Sequence, residues 1–194
     1  MKPHIINDKK NFINGWYIDK NLCDSIVEQC SGRNKLKFNG IPKTSYKGYL
    51  ASQLKTLSEE LHIQYITELN KVLDLYKKEY PFLDEIENFE IFKFKGYDSI
   101  QIQMYDPNFF YSRLHCENTG HPAAIDRCLA FMTYLNDVED GGGTFFPYQD
   151  LSTKAEKGLT LIWPAYWTHP HRGIVSETQK KIIATGWYTF QNLG

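Results

Sequence analysis

From Ala51 to about Tyr80 the chain carries apolar residues at three- and four-residue steps: Leu54, Leu57, Leu61, Tyr65, Leu69, Val72 and Tyr76. That period puts one apolar stripe along a long helix. Pro81 is a natural stop, because it has no amide to donate and its ring clashes with the preceding turn. A helix of this kind needs a broad apolar surface to lie on. A shorter helix is expected before it, over Asn21–Cys30, with Leu22, Ile26, Val27 and Cys30 on one face and Gly32 able to end it.

The remainder reads as the surface those helices need. Ser99–Tyr105 alternates, with Ile100, Ile102 and Met104 facing one way and Gln101 and Gln103 the other. Cys128–Leu135 is a dense apolar and aromatic run, and Gly141, Gly142 and Gly143 mark a tight turn before Thr144, Phe145 and Phe146. Leu159–Trp163 and Lys181–Phe190 are two further strands. Many short strands separated by Gly- and Pro-containing turns suggest a barrel or a double-sheet jelly roll. With two helices placed first, the arrangement is α+β, the helices packing on one sheet. One domain is expected over residues 1–194, its helical part running to about residue 85 and its strand core from about residue 86. Arg33–Tyr49, punctuated by Gly40, Pro42 and Gly48, reads as a loop, and its basic stretch to Lys47 is a candidate substrate lid.

A formal net charge of -1 gives no bulk attraction for nucleic acid or for an anionic membrane, so neither partner is expected. No apolar run approaches the roughly 18 residues of a membrane span, and Met1–Lys10 has no apolar signal core. A cytoplasmic protein is expected. Cys23, Cys30, Cys116 and Cys128 form no CxxC pair, and reduced thiols are the default there.

The chemistry starts at His115-Cys116-Glu117. On a strand, residues two apart share a face, so His115 and Glu117 can chelate one ion while Cys116 points away. A second histidine must come from elsewhere, and His169 and His171, in Trp-Thr-His-Pro-His-Arg-Gly, are both candidates. Two histidines and one carboxylate on one face of a metal leave three positions open, the usual arrangement for non-haem Fe(II) centres that activate oxygen. A thiolate in the set would bias it toward zinc. By itself, an H-x-E match is no more specific than a surface histidine beside a solvated glutamate.

The surrounding motifs add specificity. Arg127–Asn136, Glu139-Asp-Gly-Gly-Gly-Thr-Phe-Phe-Pro147, Lys157–Trp163 and His171-Arg-Gly followed by Lys181 and Trp187 occur in one order. From Tyr105 to Phe190 the chain resembles the prolyl 4-hydroxylase-like branch of the 2-oxoglutarate oxygenases. The resemblance implies a double-stranded β-helix (jelly-roll) core with the N-terminal helices on one sheet. It implies Fe(II), with 2-oxoglutarate and O2 as co-substrates and ascorbate as a possible reductant. It implies a dioxygenase that releases succinate and CO2 while hydroxylating an unactivated C–H bond, first of all in a prolyl residue of a peptide or protein. The same chemistry on a free amino acid or other small molecule, and a jelly-roll module that binds metal or oxo acid without catalysis, are the alternatives.

In that family the distal metal histidine stands about ten residues before the basic residue that meets the oxo acid's far carboxylate. Lys181 lies ten residues after His171, whereas His169 would pair with uncharged Gln179. The resemblance therefore implies His115, Glu117 and His171 as metal ligands and Lys181 as the carboxylate's partner. An inward lysine among Ile183, Thr185 and Trp187 is costly unless an anion meets it. The same pattern puts Tyr105, ten residues before His115, and Tyr134 in the co-substrate pocket, with Trp187 beside them; each tyrosine reads equally as a core aromatic. The chain departs from the family in one respect. The usual motif is His-x-Asp, and Glu117 is one methylene longer.

Overall fold

The computed structural model describes residues 1–4, 6, 9–31, 39–40, 49–85 and 100–190. The expected lid, Arg33–Lys47, and Gly32 lie outside them, apart from Asn39–Gly40. Among the described residues the strands and α-helices follow in this order: β1 Lys2–His4, β2 Asn14–Tyr17, α1 Lys20–Ser31, β3 Asn39–Gly40, β4 Tyr49–Gln53, α2 Leu54–Leu57, α3 Glu59–Glu79, α4 Phe82–Glu85, β5 Gln101–Tyr105, β6 Arg127–Tyr134, β7 Thr144–Phe146, β8 Leu151–Ser152, β9 Leu159–Pro164, β10 Arg172–Gly173 and β11 Lys181–Thr189. Eight strands form a large antiparallel sheet in the order β1-β2-β9-β6-β11-β5-β4-β3, and β10-β7-β8 form a smaller one. This is the expected α+β jelly roll.

Each buried strand sorts its side chains by parity. Leu129 and Phe131 of β6, and Ile182, Ala184 and Tyr188 of β11, join the helix-side core with Tyr65, Leu69, Val72 and Tyr76 of α3. Ala130, Met132 and Tyr134 of β6, with Ile183 of β11, join a second core between the sheets, with Phe146, Leu161 and Trp163. Both faces of β6 are thus covered, and its sequence accordingly shows an apolar run where a half-exposed strand would alternate.

Two expectations need correction. The helical period beginning at Ala51 is not one helix. Ala51–Gln53 end β4, α2 is a single turn, and Ser58 is extended, with φ -163° and ψ 120°. The Ser58 hydroxyl accepts from the Leu61 amide at 3.3 Å and caps α3. Glu59 and Glu60 in the first turn and Lys77 and Lys78 in the last suit the helix dipole. The first 85 residues are also not purely helical: β1 to β4 all belong to the large sheet. β2 pairs β9 and β4 pairs β5, so the N-terminal part extends the sheet on both sides.

The glycine turn holds the small sheet to the segment after β10. Gly141 has φ +133°, and a Cβ there would lie 2.0 Å from the Val175 carbonyl oxygen. Just before it, the Asp140 carboxylate accepts from the Glu177 and Thr178 amides and from the Ser176 and Thr178 hydroxyls. That staple fixes the chain between His171 and Lys181.

Candidate metal centre and co-substrate cavity

His115 and His171 are brought together by backbone. The His115 amide donates to the His171 carbonyl at 3.1 Å, and the His171 amide returns a bond to the His115 carbonyl at 2.9 Å. The two rings come to a centroid distance of 4.4 Å. His115 Nδ1 lies 3.0 Å from the Arg113 carbonyl and His171 Nδ1 lies 3.1 Å from that of His169. A carbonyl only accepts, so each Nδ1 carries the proton and each Nε2 presents a lone pair.

Glu117 completes the set. Its amide donates to the Ala165 carbonyl at 3.0 Å, and its Oε1 stands 3.4 Å from Nε2 of both histidines. The donor atoms of the three residues all lie within 4.8 Å of one another. Burial pushes the Glu117 carboxyl up, but when the rings of His115 and His171 are protonated at Nε2 as well, as they can be with no metal between them, their hydrogen bonds and charge outweigh it and hold the carboxyl well below the usual carboxylate range. The other oxygen, Oε2, accepts from the Trp187 indole N–H at 2.6 Å and lies 3.6 Å from Arg127 Nη1. Arg127 is stacked over the Trp187 ring at 3.6 Å and donates to the Glu117 carbonyl at 3.1 Å. Two neutral imidazoles and one carboxylate, with no thiolate among them, suit a divalent iron.

His169 is placed differently. Its Nε2 donates to the Asn11 carbonyl at 2.8 Å and its Nδ1 accepts from the Thr168 hydroxyl at 2.9 Å. Both ring nitrogens are engaged away from Glu117, and burial lowers the pKa.

A cavity of about 280 Å³ opens on the cluster and is lined by His115, Glu117, His171, Arg127, Trp187, Lys181 and Tyr105, among others. Lys181 is 6% exposed and has no carboxylate partner among the described residues. Its ammonium sits 4.9 Å from the centroid of the Tyr105 ring, and burial pulls its pKa down to about 8. Lys181 and Tyr105 are register partners on β11 and β5. Tyr105 donates its hydroxyl to Gln103 Oε1 at 2.8 Å.

Tyr134 departs from its expected place. It is fully buried, its hydroxyl lies 2.8 Å from both Thr144 Oγ1 and Thr153 Oγ1, and the cavity wall there is Thr144. It is a core aromatic behind the cavity. Trp187 lines the cavity, but its polar atom is committed to Glu117. Sequence reading missed Arg127, Tyr111, Gln101 and Gln103 as lining residues. The two glutamines share a strand face with Tyr105, which was the available signal.

The 2OG-Fe(II) oxygenase superfamily model matches residues 100–189. Among curated proteins no sequence matches. Solved structures share the fold at low identity. A Pseudomonas putida prolyl-4-hydroxylase has a TM-score of 0.70 at 17% identity, over 93% of each chain. The viral collagen prolyl hydroxylase of Paramecium Bursaria Chlorella virus-1, in its 2OG complex, has 0.66 at 17%, over 93% of this chain and 97% of that one. The Trichoplax adhaerens prolyl hydroxylase in complex with a hypoxia inducible factor peptide has 0.61 at 12%, over 94% and 85%. Residues 100–189, the strand-built part that carries the cluster and the cavity, are thus similar to the 2OG-Fe(II) oxygenase superfamily, and the chain shares its fold with a prolyl-4-hydroxylase of Pseudomonas putida.

Proposed function

We propose that the protein is a prolyl hydroxylase that binds Fe(II) through His115, Glu117 and His171 and 2-oxoglutarate through Lys181, acting on a peptide. One observation carries this reading. The histidine–carboxylate cluster and a buried, uncompensated lysine line the same cavity. A dicarboxylate that chelates a metal at one end and meets an ammonium at the other matches both features.

When bound, Fe(II) with 2-oxoglutarate and O2 supplies the oxidising power for C–H hydroxylation, with succinate and CO2 as the other products. The chain's own residues do the rest. Glu117 would help hold the metal through Oε1, the oxygen that faces the two histidines, while Trp187 holds Oε2 and orients the carboxylate. Lys181 fixes the oxo acid's far end, and the Tyr105 ring lies against its ammonium. Trp163 and Phe146 pack on the His171 ring, at centroid distances of 5.0 and 5.4 Å, and exclude water behind it.

The test is anaerobic titration of Fe(II), then of 2-oxoglutarate, followed by metal-to-ligand absorption. One iron per chain is expected, with the band appearing only after 2-oxoglutarate. Addition of O2 and prolyl peptides should then give succinate and a hydroxylated product by mass spectrometry, with ascorbate added as reductant. A protein that binds zinc and not iron, or shows no 2-oxoglutarate band, would overturn the reading. Among the described residues no helix is long and apolar enough to cross a membrane.

A further inference from the structure

We infer that Gln101 and Gln103, with Thr185 beside them, form an amide row that hydrogen-bonds the backbone of an extended peptide substrate. The inference rests on the peptide reading above and adds where the peptide is held.

All three residues line the cavity. Gln101 and Gln103 project from the inner face of β5, and the other face of that strand sends Ile102 and Met104 into the helix-side core. Thr185 is the register partner of Gln101 on β11, and Gln53 is its partner on β4. Half-buried carboxamides inside a barrel are costly unless their polar atoms find partners. Those of Gln103 do. Its Nε2 donates to Gln101 Oε1 at 3.2 Å, and its Oε1 accepts from the Tyr105 hydroxyl. Gln103 is thereby held, and the Gln101 amide oxygen is the atom that faces it. Gln101 Nε2 then has no acceptor among the described residues. Beside it, Gln53 Oε1 is buried without a donor among them. Thr185 donates its hydroxyl proton to the Phe131 carbonyl at 2.9 Å, which leaves oxygen lone pairs on the row.

The chemistry of the row selects its ligand. It holds no ionisable group, so it suits neutral amides. A free amino acid would bring an ammonium and a carboxylate, and the cavity's cations are engaged elsewhere: Arg127 on Glu117 and Trp187, and Lys181 on the proposed oxo acid. Side-chain amides also read nucleobase edges, but the row carries no lysine or arginine to meet a phosphate backbone. Spacing favours a peptide. Two residues along a strand advance about 6.6 Å, the interval at which an extended peptide repeats its same-side backbone groups.

The experiment compares wild-type protein with Gln101→Leu and Gln101→Glu, the latter keeping shape while losing the amide donor. A proline-centred peptide array is first screened for stimulated succinate formation, alongside free proline, other free amino acids and single-stranded oligonucleotides. For the best peptide, KM, and Kd by anaerobic calorimetry, should both rise about three- to tenfold in each variant, the loss of one neutral hydrogen bond. Circular dichroism and thermal melting should match wild type, which reports that the variants fold, and the 2-oxoglutarate Kd should move by less than the peptide Kd. A peptide with one backbone carbonyl reduced to methylene should lose the same factor in wild type and nothing further in Gln101→Leu. An unchanged peptide KM and Kd in both variants would overturn the row and leave the prolyl reading standing. A 2-oxoglutarate Kd weakened as much as the peptide Kd or more would also overturn it, by assigning Gln101 to the oxo acid. If no peptide stimulates turnover and a free amino acid or oligonucleotide does, both readings fall.

Discussion

Lys181 allows the sharpest test, because one substitution moves two measurable quantities in opposite directions. Its ammonium is buried, with an aromatic ring as neighbour and no carboxylate partner among the described residues. Burial lowers its pKa from 10.5 to about 8. At about 1.4 kcal/mol per pH unit, keeping the charge in place costs the ligand-free fold about 3 kcal/mol. The folded value lies below the unfolded one, so the unfolded chain binds more protons between about pH 8 and 10.5. The penalty is therefore fully present below about pH 8 and fades as pH climbs through that window. Lys181→Met removes the charge and keeps most of the volume. Urea unfolding of the ligand-free protein should show the variant more stable by up to about 3 kcal/mol at pH 7, with the gap closing toward pH 10. The same variant should bind 2-oxoglutarate roughly thirty- to several-thousand-fold more weakly, the usual cost of about 2–5 kcal/mol for a charged partner left unpaired, with Fe(II) affinity little changed. Wild-type affinity for 2-oxoglutarate should also fall above about pH 8, by up to about tenfold per pH unit as the free lysine loses its proton, while the variant's stays flat. A variant that is less stable at pH 7, or that binds 2-oxoglutarate as wild type does, would refute the reasoning.

The other expectations are simpler. Iron titration should show His115→Ala and His171→Ala unable to bind, while His169→Ala keeps most of its affinity and loses stability, because its ring bridges Asn11 and Thr168. Glu117→Asp should still bind iron but more weakly, since the shorter side chain cannot keep both the histidine-facing position and the 2.6 Å Trp187 bond; Trp187→Phe should reproduce part of that loss, and equal affinity in all three proteins would remove Trp187 from the account. Tyr134→Phe should lower thermal stability by about 1 kcal/mol and leave 2-oxoglutarate affinity untouched, because its hydroxyl is held by two threonines behind the cavity.

Much of this was legible in the sequence because it depends on parity. Lys181 and Trp187 lie an even number of residues apart on β11, and His115 and Glu117 lie two apart on a segment of which only His115 is bridged, and the structure puts each pair on one cavity. The early strands were not legible. β1 and β2 are three and four residues long, too short to show alternation, and they exist because β9 offers a free edge. The break at Ser58 was hidden because Leu54 and Leu57 keep the helical period on the far side of the cap. Parity also cannot say which face is the cavity. Gln101 and Gln103 face away from Ile102 and Met104, and only the folded chain shows that this face lines the interior. Nor does sequence spacing report that Tyr134's hydroxyl is satisfied by Thr144 and Thr153, which sit on other segments of the chain.

The paired backbone bonds between His115 and His171 make the three proposed ligands unequal. The spacing of the two histidines is fixed by main chain, which no side-chain substitution alters. The carboxylate stands one step off that ladder, on an irregular segment tied down at Ala165, and its far oxygen is held by side chains alone. It is the adjustable member of the set. A longer acid can occupy the position provided its outer oxygen is caught, and here an indole stacked under a guanidinium catches it. Variation among chains of this architecture should therefore concentrate at the carboxylate and its two keepers, changing together, while the histidine pair stays still.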